Sequence, residues 1–338
     1  MKLLIYHKDD NDGVFSGALF YNYLKDKLNV SHDEITLLPA DYDILDQYSK
    51  TNTVEHLHEL YDTIIMTDIS FNNAKYMKKL YDEFKNNFIW CDHHAPVIKE
   101  SWKLKFNDAI GVRNSNKSAI LCAYEYLYDT FNEVYSTIDK KPVSNFPEFL
   151  RILSGWDSWS YEREGYDFEY VRNINKGTTF EFNLNFSKVV NVVRYIIGIY
   201  QDGLDKRYED DLISNMHTIG KQLNDYDDRN MENIIKNDSD CSWNLLIEDK
   251  SGSYYRKTCA IFHQGLSNST MFKYLKNEGI QNGLVFKHKS NGNWIISLYN
   301  VNDDDLFHCG EFLKDKYNGG GHKGAAGGLK RVRRALHI

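Results

Sequence analysis

The chain has 338 residues, 42% of them apolar and 14% aromatic, and a formal net charge of −7. That apolar content suffices for buried cores, and the length predicts about two domains. The acidic balance excludes a protein whose main work is coating nucleic acid through a basic surface, but not an enzyme that meets phosphates through metal cations.

In chain order, residues 3–6 predict a short buried strand, and 14–28 a helix with apolar residues at Val14, Ala18, Leu19 and Leu24. Strands follow at 35–38 and 63–67. Residues 71–84 have helical spacing behind Ser70, a candidate N-cap. A strand at 88–91 and an amphipathic helix at 118–128 complete the alternation, which predicts a parallel sheet wrapped by helices. Residues 146–156 read as a helix with Pro147 at its first position. From 188 to 236 the pattern is helical and increasingly charged, as expected of a solvated connector. Strand-like segments return at 243–247, 258–262, 283–286 and 294–298. Helices are expected near 271–276 and over 307–317, so a second, smaller α/β domain closes the chain. The basic run Lys330-Arg331-Val332-Arg333-Arg334 reads as a solvated end, with a nucleic-acid contact as the weaker alternative. Five cysteines (Cys91, Cys122, Cys241, Cys259, Cys309) lack short paired spacing, which predicts neither a disulfide framework nor a zinc site and makes a cytoplasmic location the expectation. The opening residues run straight into polar ones, and no apolar stretch of about 20 residues is present, so neither a signal segment nor a membrane helix is expected.

Chemistry concentrates in five clusters. Asp92-His93-His94 stands directly behind a predicted strand, where two adjacent imidazoles are costly unless paired or liganded. His7-Lys8-Asp9-Asp10-Asn11-Asp12-Gly13 follows the first strand. If the turn is extended, Asp10 and Asp12 point the same way and can face a cation pair; the plainer account is an Asp-rich turn with a helix cap. Asp68 and Asp157 each end an apolar stretch and are equally readable as caps. Gly319-Gly320-Gly321-His322 bares backbone N–H groups that a phosphate or base can approach. Carboxylates with imidazoles, and no thiolate nearby except Cys91, suit Mn²⁺ or a similar divalent ion better than Ca²⁺ or structural Zn²⁺. Several carboxylates in one pocket would repel unless cations neutralise them, and paired ions are the usual agents of displacement at phosphorus.

The order Asp-x-Asp-Gly, lone Asp, Asp92-His93-His94-Ala95-Pro96, lone Asp, then Gly319-Gly320-Gly321-His322-Lys323-Gly324-Ala325-Ala326-Gly327 resembles the DHH phosphoesterases with a DHHA1 C-terminal domain, over residues 6–328. That family includes nanoRNase-type oligoribonucleases, single-strand exonucleases, hydrolases of cyclic dinucleotides and of 3′-phosphoadenosine-5′-phosphate, and, with another C-terminal domain, inorganic pyrophosphatases. The resemblance implies an α/β fold with three parts: a parallel-sheet catalytic domain (1–187), a helical connector (188–240) and a smaller α/β substrate-binding domain (241–338), the active site lying in the interdomain cleft. It implies two Mn²⁺ ions, with Mg²⁺ or Co²⁺ as substitutes. His7, Asp10 and Asp68 would hold one ion, and Asp12, Asp68, His93 and Asp157 the other, with Asp9 the alternative to His7. His94 would meet the scissile phosphate, Asp92 would orient a neighbouring histidine, and Gly319, Gly320, Gly321 and His322 would bind substrate. Where many members carry an arginine two residues after a strand serine, this chain has Tyr299 after Ser297. Either a phosphate clamp is lost or Tyr299 replaces it by stacking or hydrogen bonding. The expected activity is hydrolysis of short single-stranded oligonucleotides or dinucleotides to nucleoside monophosphates; the alternatives are a cyclic-dinucleotide or 3′-phosphoadenosine-5′-phosphate hydrolase, a pyrophosphatase and an inactive nucleotide-binding module. The expected partners are that substrate and a second copy of the chain in a homodimer, with no membrane.

Overall fold

A computed structural model describes residues 1–129, 146–249, 252–262, 272, 275, 279–289, 293–301, 307–317, 319–321 and 325–331. The chain divides into two compact units, Met1–Asn224 and Asp225–Ile338.

The first unit is built on four parallel strands, β1 (Lys2–His7), β2 (Ile35–Ala40), β3 (Thr63–Thr67) and β4 (Phe88–Cys91), in the order β2-β1-β3-β4. Alternate side chains on a strand point to opposite faces. Leu4, Tyr6, Ile65 and Cys91 therefore enter one core, while Leu3, Ile5, Ile64, Met66, Phe88 and Trp90 enter a second across the sheet. The helix after β1, α1 (Asn11–Asn22), lays Val14, Phe15, Ala18 and Leu19 on the first face. On the way from β2 to β3 stand α2 (Tyr42–Thr51) and α3 (Val54–Leu60). The helix after β3, α4 (Ala74–Phe84), covers the other face with Tyr76, Met77, Leu80 and Phe84. The connection after β1 thus lies on one face and the two after β2 and β3 on the other, and the carboxyl ends of β1 and β3 flank the point where the direction of winding reverses, the preferred ligand position in such sheets.

After β4 come α5 (Ala95–Leu104), α6 (Ala119–Tyr124), α7 (Glu148–Asp157), α8 (Phe168–Phe182), α9 (Phe186–Asp202) and the long α10 (Arg207–Asp238). Helix α9, within the segment read as a connector, buries Val189, Val193 and Ile196 in the first core. Helices α8 and α10 cross with their backbones nearly touching: a Cβ on Gly220 would lie 1.7 Å from the carbonyl oxygen of Asn173, and one on Gly177 2.0 Å from that of Met216.

Several boundaries differ from expectation. The first helix starts at Asn11, three residues early, because Asp10 caps it: its carboxylate accepts the Gly13 N–H at 2.9 Å. Asp10 is itself extended, but Asp12 lies in the first helical turn, so the two do not alternate along one extended segment. Helix α4 is capped by Asn73, not Ser70, and Pro147 is the N-cap residue of α7 rather than its first helical residue. The helices predicted from 14 and 118 both finish in π-helical turns, Tyr23–Lys27 and Glu125–Asp129. Helices α2, α3, α5 and α8 are not among the expected elements.

The second unit holds a six-stranded sheet: β5 (Ser239–Asp249), β6 (Gly252–Phe262), β7 (Asn282–His288), β8 (Asn293–Asn300), β9 (Gly320–Gly321) and β10 (Ala325–Arg331), ordered β5-β6-β7-β8-β10-β9. Among the described residues of this sheet, only β6 and β7 pair in parallel. Cys259, Ile261, Val285 and Tyr299 feed one core, and Ala260, Leu284, Phe286, Ile296 and Leu298 the other. Helix α11 (Cys309–Tyr317) contributes Leu313 to the latter. The helix expected near 271–276 falls largely outside the described residues, as does most of the basic tail; Lys330 and Arg331 end β10. Among the described residues, no helix is long and apolar enough to cross a membrane.

Candidate metal centre

Three strand ends and two helices of the first unit bring six of the predicted residues together. His7 ends β1, and its Nδ1 lies 3.0 Å from Asp10 Oδ2 and 3.4 Å from Asp68 Oδ2. His93, just beyond β4, places Nε2 3.2 Å from Asp68 Oδ1, 3.3 Å from Asp157 Oδ2 and 3.7 Å from Asp12 Oδ2. Asp157 is the last residue of α7. Two triads, His7/Asp10/Asp68 and Asp12/His93/Asp157, each have ligand atoms within 4.8 Å of one another, as does a third, Asp68/His93/His94. Asp68 joins the groups, turning one oxygen toward His7 and the other toward His93. It does so from a left-handed backbone with φ of 57°, tolerated by aspartate more readily than by most residues, and its N–H is anchored on the Cys91 carbonyl at 3.0 Å.

Local packing explains why these ends converge. A Cβ on Gly13 would lie 2.2 Å from the His7 carbonyl oxygen, so only glycine lets α1 start this close to the end of β1. Asp12, in the first turn of α1, accepts the N–H groups of Ala119 at 2.6 Å and Ile120 at 2.9 Å, docking the N-terminus of α6 onto α1. Helix α7, which presents Asp157, is fixed at its other end. There the buried Glu209 accepts the Phe149 N–H at 2.9 Å and the Tyr200 hydroxyl at 2.7 Å.

Asp92 is fully buried and fully committed. Its Oδ1 accepts the N–H groups of His93 and His94 and contacts His94 Nδ1 at 2.7 Å, and its Oδ2 accepts the Trp90 indole N–H at 3.1 Å. It therefore fixes the strand-end turn and the His94 ring rather than offering a free oxygen. With Nδ1 held by Asp92, Nε2 is the ring nitrogen of His94 left to work. Asp9 is more than half exposed and pairs with Lys8 at 3.7 Å, outside the triads.

The electrostatics describe a site short of positive charge. Burial works against charging His7, yet Asp10 and Asp68 raise its pKa to about 10. His93 is likewise opposed by burial but raised to about 10 by Asp68, Asp12 and Asp157. Burial and then repulsion from Asp68 push the Asp12 carboxyl up to about 7, and burial with Asp12 beside it holds Asp157 well above the usual range. Asp68 is opposed by burial too, but its contacts with His7 and His93 keep it below that range. His7 Nδ1, both Asp68 oxygens and Asp157 Oδ2 are buried without a hydrogen bond. Four such atoms of mixed nitrogen and oxygen character fit a pair of divalent cations.

Sequence reasoning missed several neighbours of the site. The Tyr42 ring lies 6.1 Å from that of His7 and 6.4 Å from that of His94. Trp156 and Trp159 stack at 6.1 Å on either side of Asp157 in sequence, and Trp159, 51% exposed, has φ of 54°. The Trp-Asp-Ser-Trp sequence was the only available signal.

In the second unit, Gly320 and Gly321 form the edge strand β9, and a Cβ on Gly319 would lie 2.3 Å from the Gly327 carbonyl oxygen. His322 lies outside the described residues. Tyr299 is buried, with its ring 5.8 Å from that of Phe272, so the face that surface stacking would need is turned into the core.

No protein-family model matches the sequence, and no curated protein is similar to it. Solved structures align along most of the chain at low identity and with TM-scores below 0.5. A pGpG-specific phosphodiesterase from Vibrio cholerae is 12% identical with a TM-score of 0.47, over 98% of this chain and 93% of its own. An exopolyphosphatase-related protein from Bacteroides fragilis is 15% identical with a TM-score of 0.43, over 99% and 87%. The exonuclease RecJ bound to manganese is 12% identical with a TM-score of 0.48, over 97% and 85%. Likenesses of this degree carry no functional argument; that rests on the side chains.

Proposed function

We propose that this protein is a phosphodiesterase of the DHH type that uses two divalent cations, Mn²⁺ in the first instance, to release nucleoside monophosphates from short oligonucleotides. The observation that carries the reading is Asp68: a buried carboxylate with one oxygen toward His7 and Asp10 and the other toward His93, as a bridge between two cations requires. His7, Asp10 and Asp68 would hold one cation, and Asp12, Asp68, His93 and Asp157 the other. Bound there, the pair supplies Lewis acidity toward water and phosphate.

The protein's own groups do the rest. Asp92 holds the His94 ring through Nδ1, leaving Nε2 to donate to the scissile phosphate and stabilise the charge that grows on it. Asp92 also raises the His94 pKa against the opposing effect of burial, which favours the charged, donating form. The acidic net charge suits substrates with few phosphates. The test is incubation of labelled dinucleotide, longer oligonucleotide, cyclic dinucleotide and pyrophosphate with protein and Mn²⁺, with products separated by chromatography. Monophosphate release from the dinucleotide is expected; no cleavage of any phosphodiester would sink the reading.

A further inference from the structure

The second unit holds a thiol pair that the hydrolytic site does not use. In the β5–β6 ladder, Asp240 faces Ala260 and Trp243 faces Thr258, so Cys241 and Ser242 together oppose Cys259. Two residues against one is a β-bulge, which bends the strand and re-aims a side chain. Here the Cys241 thiol lies 2.7 Å from the Cys259 sulfur. A disulfide needs about 2.0 Å, so closing the bond takes a movement of well under an ångström. The two sulfurs also differ in access. Cys259 is fully buried in the core with Met231, Ile235 and Tyr299, whereas Cys241 is half-buried on β5, an edge strand paired on one side only. Ser239 Oγ stands 3.7 Å from the Cys241 sulfur.

We propose that Cys241 and Cys259 are a site of intramolecular disulfide formation driven by a peroxide, with Cys241 the reacting thiol and Cys259 the resolving one. The Cys241 sulfur attacks one peroxide oxygen; the O–O bond breaks and the first water leaves with the thiol proton. The Cys259 sulfur then attacks the sulfenic sulfur of Cys241. The S–S bond forms, the S–O bond breaks, and the hydroxide takes the Cys259 proton as a second water. Two thiols are oxidised and one peroxide is reduced. Burial pushes the Cys259 thiol up to about 12, which leaves Cys241 as the first to react. The bond would pin the edge strand β5 to β6.

The test uses the full chain, reduced, freed of reductant and exposed to hydrogen peroxide. Remaining thiols are then alkylated in denaturant, and proteolytic peptides are mapped by mass spectrometry. The free-thiol count is expected to fall from five to three, with a peptide pair joined through Cys241 and Cys259 that disappears on re-reduction. The Cys241→Ser variant should keep its four remaining thiols, while Cys309→Ser should still form the link. Five persisting thiols, a Cys241 sulfinic acid beside free Cys259, or a link through Cys91, Cys122 or Cys309 would each overturn the proposal, and the wild-type map decides even if a variant fails to fold.

Discussion

Stripping and restoring divalent cations is the most direct perturbation of the proposed centre, and its effect on stability follows from the buried atoms. His7 Nδ1, Asp68 Oδ1 and Oδ2, and Asp157 Oδ2 are buried and held only by ion-pair contacts of 3.0–3.4 Å with Asp10, His7 and His93. Binding to the folded state alone then stabilises by mass action, about 2.7 kcal/mol when the cation stands at roughly a hundred times its dissociation constant. The first unit, Met1–Asn224, unfolds with about 0.5 kcal/mol/K of entropy, taking ~2.1 cal/mol/K per residue. The expected rise in melting temperature is therefore about 6 °C. The assay is differential scanning fluorimetry of EDTA-treated protein titrated with Mn²⁺, in parallel with Asp68→Asn. No rise with any divalent cation, or an equal rise in Asp68→Asn, would refute the reasoning.

Asp68→Asn and His93→Ala are expected to abolish measurable hydrolysis of a dinucleotide, while Asp92→Asn, which removes the charge beside His94 but keeps the binding groups, should retain ~1–10% of it in steady-state assays. Glu209→Ala removes the acceptor of the buried Phe149 N–H and of the Tyr200 O–H and should destabilise by about 3 kcal/mol in urea unfolding. Gly220→Ala should also destabilise, by about 1–3 kcal/mol, although alanine is the better helix former by ~1 kcal/mol. Its Cβ would meet the Asn173 carbonyl oxygen at 1.7 Å, and a gain in stability would contradict that crossing of α8 and α10.

The strands of the first sheet were legible because buried parallel strands read as short apolar runs, and β3 and β4 were predicted to the residue. The site residues were legible because His7, Asp68 and His93 sit at strand ends, where the topology concentrates them. What stayed hidden depends on contacts distant in sequence. Asp12 docks α6 across 107 residues, and Glu209 holds α7 across 60. Apolar spacing begins at Val14, whereas the Asp10 cap starts α1 at Asn11 while its other oxygen faces His7. Tyr42 left no trace in the sequence because its place beside His7 is set by the packing of α2, a short helix far from His7 in the chain.

That double service of Asp10 bears on how the protein can change over evolutionary time. One carboxylate oxygen starts a helix and the other faces His7. Alanine at this position would weaken the fold along with the chemistry. Asparagine caps a helix as well as aspartate but brings no negative charge. A lineage that lost hydrolysis while keeping the scaffold would therefore drift through Asn at position 10, and that single letter would identify its silent members before any assay.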